Sequence, residues 1–80
     1  MTLIEFAAMM ERKLAENSHK GESWKHDAAK PLLARLRQET LELQQAIENG
    51  ADAHTIAGEA ADVANFAYFL ADNFGGQGDE

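Results

Sequence analysis

Glu39, Glu42, Glu59 and Asp62 are the residues of this chain whose types and spacing speak most directly of chemistry. They form a Glu-x-x-Glu pair, a gap of sixteen residues, and a Glu-x-x-Asp pair. Each pair sits in a stretch that otherwise reads as apolar helix. Residues three apart on a helix project from one face, a turn from each other. Two such helices packed together bring four acidic groups to one place. Four anions repel unless a cation lies among them. Buried carboxylates without a partner are costly and tend to take up protons instead. The pattern therefore predicts a divalent-cation site, and magnesium, which prefers oxygen ligands and keeps open positions for water or phosphate, suits it best. The plainer alternative is that helices are rich in Glu and these four are solvated boundary residues. Against it, Glu59 and Asp62 are the only acids between Asp52 and Asp72.

The elements that must position these groups follow from the apolar periodicity. A first helix is predicted over residues 3–17, opened by Thr2 with Glu5 three residues on, the signature of a capping box. Leu3, Phe6, Ala7, Met10 and Leu14 make its apolar stripe. Residues 18–30 read as an irregular, mostly polar loop that holds the only tryptophan, Trp24, and a small basic cluster. A second helix is predicted to start at Pro31, a favoured first helical residue, or earlier with Asp27 as its cap. Leu32, Leu33, Leu36, Leu43 and Ile47 form its buried stripe, and Asn49-Gly50 ends it. A third helix, capped by Asp52, runs from 53 to about 73. Ile56, Ala60, Val63, Ala67 and Leu70 face one way, with Phe66 and Phe69 beside them. It is apolar around much of its girth, as central helices are. Gly75-Gly76 stops it. The fold class is all-α: a small bundle of three main helices in a single domain over residues 1–76, with 77–80 a flexible tail.

Composition narrows the functions. The chain has 80 residues, no cysteine and a formal net charge of −7. Disulfides and cysteine-based zinc or redox sites are excluded. So short a chain buries only about 60% of its unfolded surface, which makes self-association attractive. Such acidity offers no electrostatic footprint for a nucleic-acid backbone. No run approaches the roughly 18 apolar residues of a membrane span. Early charges (Glu5, Glu11, Arg12, Lys13) do not read as a secretory signal, so a cytoplasmic protein is expected.

The segment Leu36-Arg-Gln-Glu-Thr-Leu-Glu-Leu-Gln-Gln-Ala46, followed by Gly58-Glu-Ala-Ala-Asp-Val-Ala-Asn-Phe66, resembles the MazG-like all-α nucleotide pyrophosphohydrolases. The stretch His19-Lys-Gly-Glu-Ser-Trp24 is similar to their short phage and bacterial members. The resemblance spans roughly residues 15 to 74. It implies magnesium-dependent hydrolysis of a nucleoside triphosphate to a monophosphate and pyrophosphate, with manganese as a substitute ion. By position, Glu39, Glu42, Glu59 and Asp62 match the metal ligands, one of them alternatively acting as a base through a metal-bound water. Asn65, one turn after Asp62, matches an asparagine often seen there and is a candidate contact for sugar or phosphate. The chain is a minimal version, so the pocket is expected to be completed in a homodimer or higher oligomer.

The remaining candidates carry two readings each. Lys20, Lys25, Lys30 and Arg35 are the cations available to hold phosphate. Arg35 is equally suited to an i,i+4 ion pair with Glu39. Trp24 offers a flat surface for a stacked base, or anchors the loop on the small core. Phe6 and Phe66 read as core. His19 and His26 read as solvated, His54 has no evident partner, and Met9 and Met10 read as packing. A non-enzymatic alternative is a small acidic helical adaptor that dimerises through its third helix, or a nucleotide-binding module of the same fold.

Overall fold

The helix boundaries are set by local chemistry at each end. The computed structural model describes residues 1–17 and 28–75. Among them, α1 spans Leu3–Asn17, α2 Ala29–Glu48 and α3 Ala53–Phe74, with no strand. α1 opens on the expected reciprocal cap. The Thr2 backbone N–H donates to Glu5 Oε1 at 2.8 Å, and the Glu5 N–H donates to Thr2 Oγ1 at 3.1 Å. Two otherwise orphaned donors of the first turn are thereby satisfied.

α2 begins two residues earlier than Pro31, with Ala28 at the N-cap and no side-chain cap. The expected loop is shorter at that end, since Ala29 and Lys30 are helical. The correction has a simple cause. The first four N–H groups of a helix have no intrahelical acceptor, so a proline at the third position forfeits nothing. The end of α2 is as expected. Gly50 adopts φ +71°, its N–H donates to Ile47 O at 3.1 Å, and the Ala51 N–H donates to Ala46 O at 2.9 Å. This pair of bonds is a Schellman closure, and it needs a residue that tolerates the left-handed region. Asp52 then caps α3, its Oδ1 accepting from the Thr55 N–H at 2.8 Å. At the far end, Gly75 is extended and donates to Ala71 O at 2.9 Å.

α3 is the central element, packing extensively on α2 and along part of α1. The short turn between α2 and α3 makes them adjacent, as in a helical hairpin. Among the described residues the core is small: Leu32, Phe66 and Phe69 form a buried cluster with Leu14, Leu36 and Leu70 packed against it, and Ala61 is buried as well. Phe66 and Phe69 meet edge to face, centroids 5.7 Å apart, the arrangement favoured by the ring quadrupoles.

The predicted stripes are wider than the faces this chain covers. Leu3 (86% exposed), Leu33 and Ile47 (56%) are on the surface, as are Ala7 and Ala67. On α3 the buried line runs through Ala61, Asn65, Phe66 and Phe69, while Ile56, Ala60 and Val63 are only half-buried. Three short helices cannot enclose every apolar position of a chain of this length. No described helix is long and apolar enough to cross a membrane. The 77–80 tail lies outside the described residues.

Candidate metal centre

The packing of α2 on α3 brings the two acidic pairs together. Glu39 and Glu42 follow the Leu36 turn of α2; Glu59 and Asp62 flank the buried Ala61 of α3. Carboxylate oxygens of Glu39, Glu42 and Glu59, one from each residue, all lie within 4.8 Å of one another. Glu39 is buried, at 7% exposure, and Glu42 and Glu59 are half-buried. The Glu59 Oε1 atom is buried without a hydrogen-bond partner.

Asp62 stands apart from that trio. Its Oδ2 lies 3.6 Å from the Lys13 ammonium, which also sits 4.0 Å from Glu16 Oε1. Lys13 is a neighbour of the acidic pairs that sequence reasoning missed. It lies 49 positions from Asp62 and comes from a different helix. The one available signal was its register: it falls three after Met10 and one before Leu14, at the edge of the α1 stripe.

The electrostatics record how costly the cluster is. Burial, then the Glu42 and Asp62 charges, push the Glu39 carboxyl up to about 7, against the pull of Arg35. Burial, then Asp62 and Glu42, raise Glu59, with Lys13 opposing. Burial raises Asp62 above the ordinary value although Lys13 pulls it down. Three carboxyls are thus held above their usual range within one small region. A hard cation answers each feature: it supplies a partner for the orphaned oxygen, separates the like charges and accepts an all-oxygen donor set. Soft or imidazole-seeking metals fit less well, since neither thiolate nor imidazole belongs to the trio. The residues present therefore fit magnesium.

The other predicted site residues divide. Lys20, Trp24 and Lys25 lie outside the described residues. Lys30 is exposed in the first turn of α2. Arg35 makes the i,i+4 contact with Glu39 (Nη2 to Oε2, 3.6 Å) and a hydrogen bond to Gln38 Oε1 at 3.3 Å. Its guanidinium also lies 5.3 Å from the Phe66 ring centroid, within cation–π range. Asn65 is buried and donates from Nδ2 to Met10 O at 3.1 Å, tying α3 to α1; its Oδ1 has no partner. It lines an apolar groove of about 510 Å³ between α1 and α3, with Ile4, Leu14 and Tyr68 on the walls. A second, polar cleft of about 250 Å³ adjoins the metal centre and contains His54.

No family model, curated protein or solved structure matches the chain.

Proposed function

We propose that this chain is a MazG-like, magnesium-dependent nucleoside triphosphate pyrophosphohydrolase, converting a ribo- or deoxyribonucleoside triphosphate and water to the monophosphate and pyrophosphate. The observation that carries this reading is the Glu39–Glu42–Glu59 cluster with its partnerless buried oxygen. Arg35 pairs with Glu39 and Lys13 with Asp62, yet the Glu39 and Glu59 carboxyls stay above their ordinary range, so these two cations do not offset the cluster.

Bound there, magnesium would supply charge neutralisation for the triphosphate and lower the pKa of a coordinated water. Glu39, Glu42 and Glu59 would hold the ion. Asp62 either adds a fourth ligand or takes a proton from the attacking water, and an Asp62→Asn variant separates these roles. Loss of turnover with magnesium affinity retained assigns the proton; joint loss assigns ligation. Arg35 exchanges its Glu39 contact for a substrate oxygen, and Asn65 holds the α1–α3 wall through Met10. The active form in this reading is a homodimer, because apolar residues line an open groove on each protomer.

The test is pyrophosphate release from a panel of nucleoside triphosphates, with magnesium, with manganese and with chelator. Metal-dependent release with a preferred base is the expected result. A folded protein that releases none from any nucleotide overturns the enzyme reading. It leaves the adaptor reading, which the exposed apolar residues Leu3, Ile4 and Tyr68 favour.

A further inference from the structure

The cleft beside the metal centre is lined by Arg12, Lys13 and Glu16 of α1 and by His54, Thr55, Gly58 and Glu59 of α3. Its composition is unusual for this molecule. In a chain with 14 acidic and 7 basic residues, it gathers two permanent cations and a histidine. The start of α3 also borders it, but Asp52 already caps that end, its Oδ1 accepting from the Thr55 N–H at 2.8 Å, so the positive character of the cleft rests on the side chains. Two carboxylates also line it. Glu16 is largely exposed and stands 4.0 Å from Lys13. Glu59 belongs to the metal trio, and its charge is taken up there when a cation is bound.

Gly58 is the second observation. It lies inside α3, where glycine weakens a helix relative to alanine. A Cβ there would meet only the Lys13 Nζ at 3.8 Å, ordinary van der Waals contact. Neither backbone conformation nor close packing requires the glycine. What it provides is open space on the cleft floor, beside the lysine ammonium.

Size selects the occupant. About 250 Å³ falls below the roughly 300–1,000 Å³ of pockets that enclose drug-sized ligands. A space of this size suits a compact anion. Glu59 lies on the boundary between cleft and acidic trio, so an anion in the cleft stands directly beside the ion.

We propose that this cleft is a phosphate subsite, in which Arg12, Lys13 and His54 hold the pyrophosphate end of the substrate and then the pyrophosphate product. The assignment rests on the pyrophosphohydrolase reading, and it places the phosphate-binding cations on α1 and the start of α3. Lys13 thereby has two anionic partners to choose between, Asp62 and the bound phosphate.

Calorimetry of the full chain, first with magnesium alone and then with inorganic pyrophosphate at constant excess magnesium, tests it. Arg12 and His54 are exposed, so Arg12→Gln and His54→Gln leave the core untouched. Each is expected to weaken pyrophosphate about tenfold while magnesium affinity stays within twofold. Gly58→Leu keeps helix propensity, fills the floor and is expected to abolish pyrophosphate binding, with circular dichroism confirming the fold. Magnesium binding with pyrophosphate held equally by all three variants, or by none including the wild type, overturns the subsite and spares the metal centre. Pyrophosphate bound in an Arg12-dependent manner without measurable magnesium binding keeps the subsite and overturns the metal reading.

Discussion

Glu39 concentrates the chemistry of the site in one side chain, and its titration gives a stability signature. In the unfolded chain it ionises near 4.5; in the metal-free fold it does so near 7. Below the lower value both states hold the proton and burial of the carboxyl is cheap. As pH rises towards 7 the unfolded state loses its proton more readily, so stability falls across that window. Glu59 and Asp62 are shifted in the same direction. Asp52 works the other way: the Thr55 N–H holds it below its ordinary value, so its contribution is present above that value and lost on acidification. In chelator, the melting temperature is therefore expected to peak in mild acid and decline towards neutrality. Glu39→Gln, whose amide resembles the protonated acid, should flatten that decline. Magnesium should restore the wild type at about pH 8 and leave the variant unmoved, because ligation needs the ionised carboxylate. A wild-type melting temperature that climbs from pH 4.5 to 7 in chelator contradicts this account. Lys13 offers a second residue-scale test. It and Asp62 are each about three-quarters or more hidden, at 28% and 20% exposure. Lys13→Gln strands a partly buried charge, and a loss of about 1–3 kcal/mol is expected in the metal-free protein, between the surface and buried limits. Urea denaturation with and without magnesium measures it, and the deficit should shrink when the ion is present.

At the scale of the elements, the sequence was most legible where local chemistry decides. The Thr2/Glu5 cap, the Asp52 cap and the Gly50 turn are short-range features, and all three stand where the residues place them. The acidic trio was legible for a related reason: i,i+3 spacing puts Glu39 and Glu42 on one face, and helix pairing does the rest. The exposure of Leu33, Ile47 and Leu3 was not legible, since periodicity shows which residues share a face but not how much of that face a neighbour covers. The Lys13–Asp62 contact was hidden more deeply, because it depends on where α1 crosses α3. Two glycines permit a test of these distinctions. Gly50 has φ +71°, so Gly50→Ala should cost about 1–2 kcal/mol through left-handed strain. Gly58 has no such constraint, so Gly58→Ala should add about 1 kcal/mol of stability through helix propensity. Thermal or urea unfolding of the two variants should shift in opposite directions; a destabilised Gly58→Ala would mean that the glycine serves packing and not the open cleft.

At the scale of the whole molecule, the small core and the uncovered apolar positions belong to one problem. Among the described residues, four apolar side chains are buried, while Met1, Leu3, Ile4, Leu33, Leu41, Ile47, Tyr68 and Phe74 are exposed. Burying a large apolar side chain contributes about 1.5–3 kcal/mol, so covering several of these positions would add materially to so small a core. The groove between α1 and α3, with Ile4 and Tyr68 on its walls, is where a second copy has most to cover. Charge opposes that association: each protomer carries −7, and like charges repel over a Debye length of about 10 Å at 0.1 M salt. The two effects give a signature that neither gives alone. Sedimentation equilibrium should show a mass above the 8.8 kDa of one chain, with association strengthened by added sodium chloride. The melting temperature should rise with protein concentration, as it does when folding is linked to assembly. Ile4→Glu combined with Tyr68→Glu adds four negative charges per dimer to the proposed contact; both positions are exposed in the protomer. The double variant should sediment as a monomer, melt lower than the wild type at high concentration and lose the concentration dependence. A wild type that sediments at 8.8 kDa, with a melting point independent of concentration and salt, would mean that the three helices suffice and that the protomer carries its site alone.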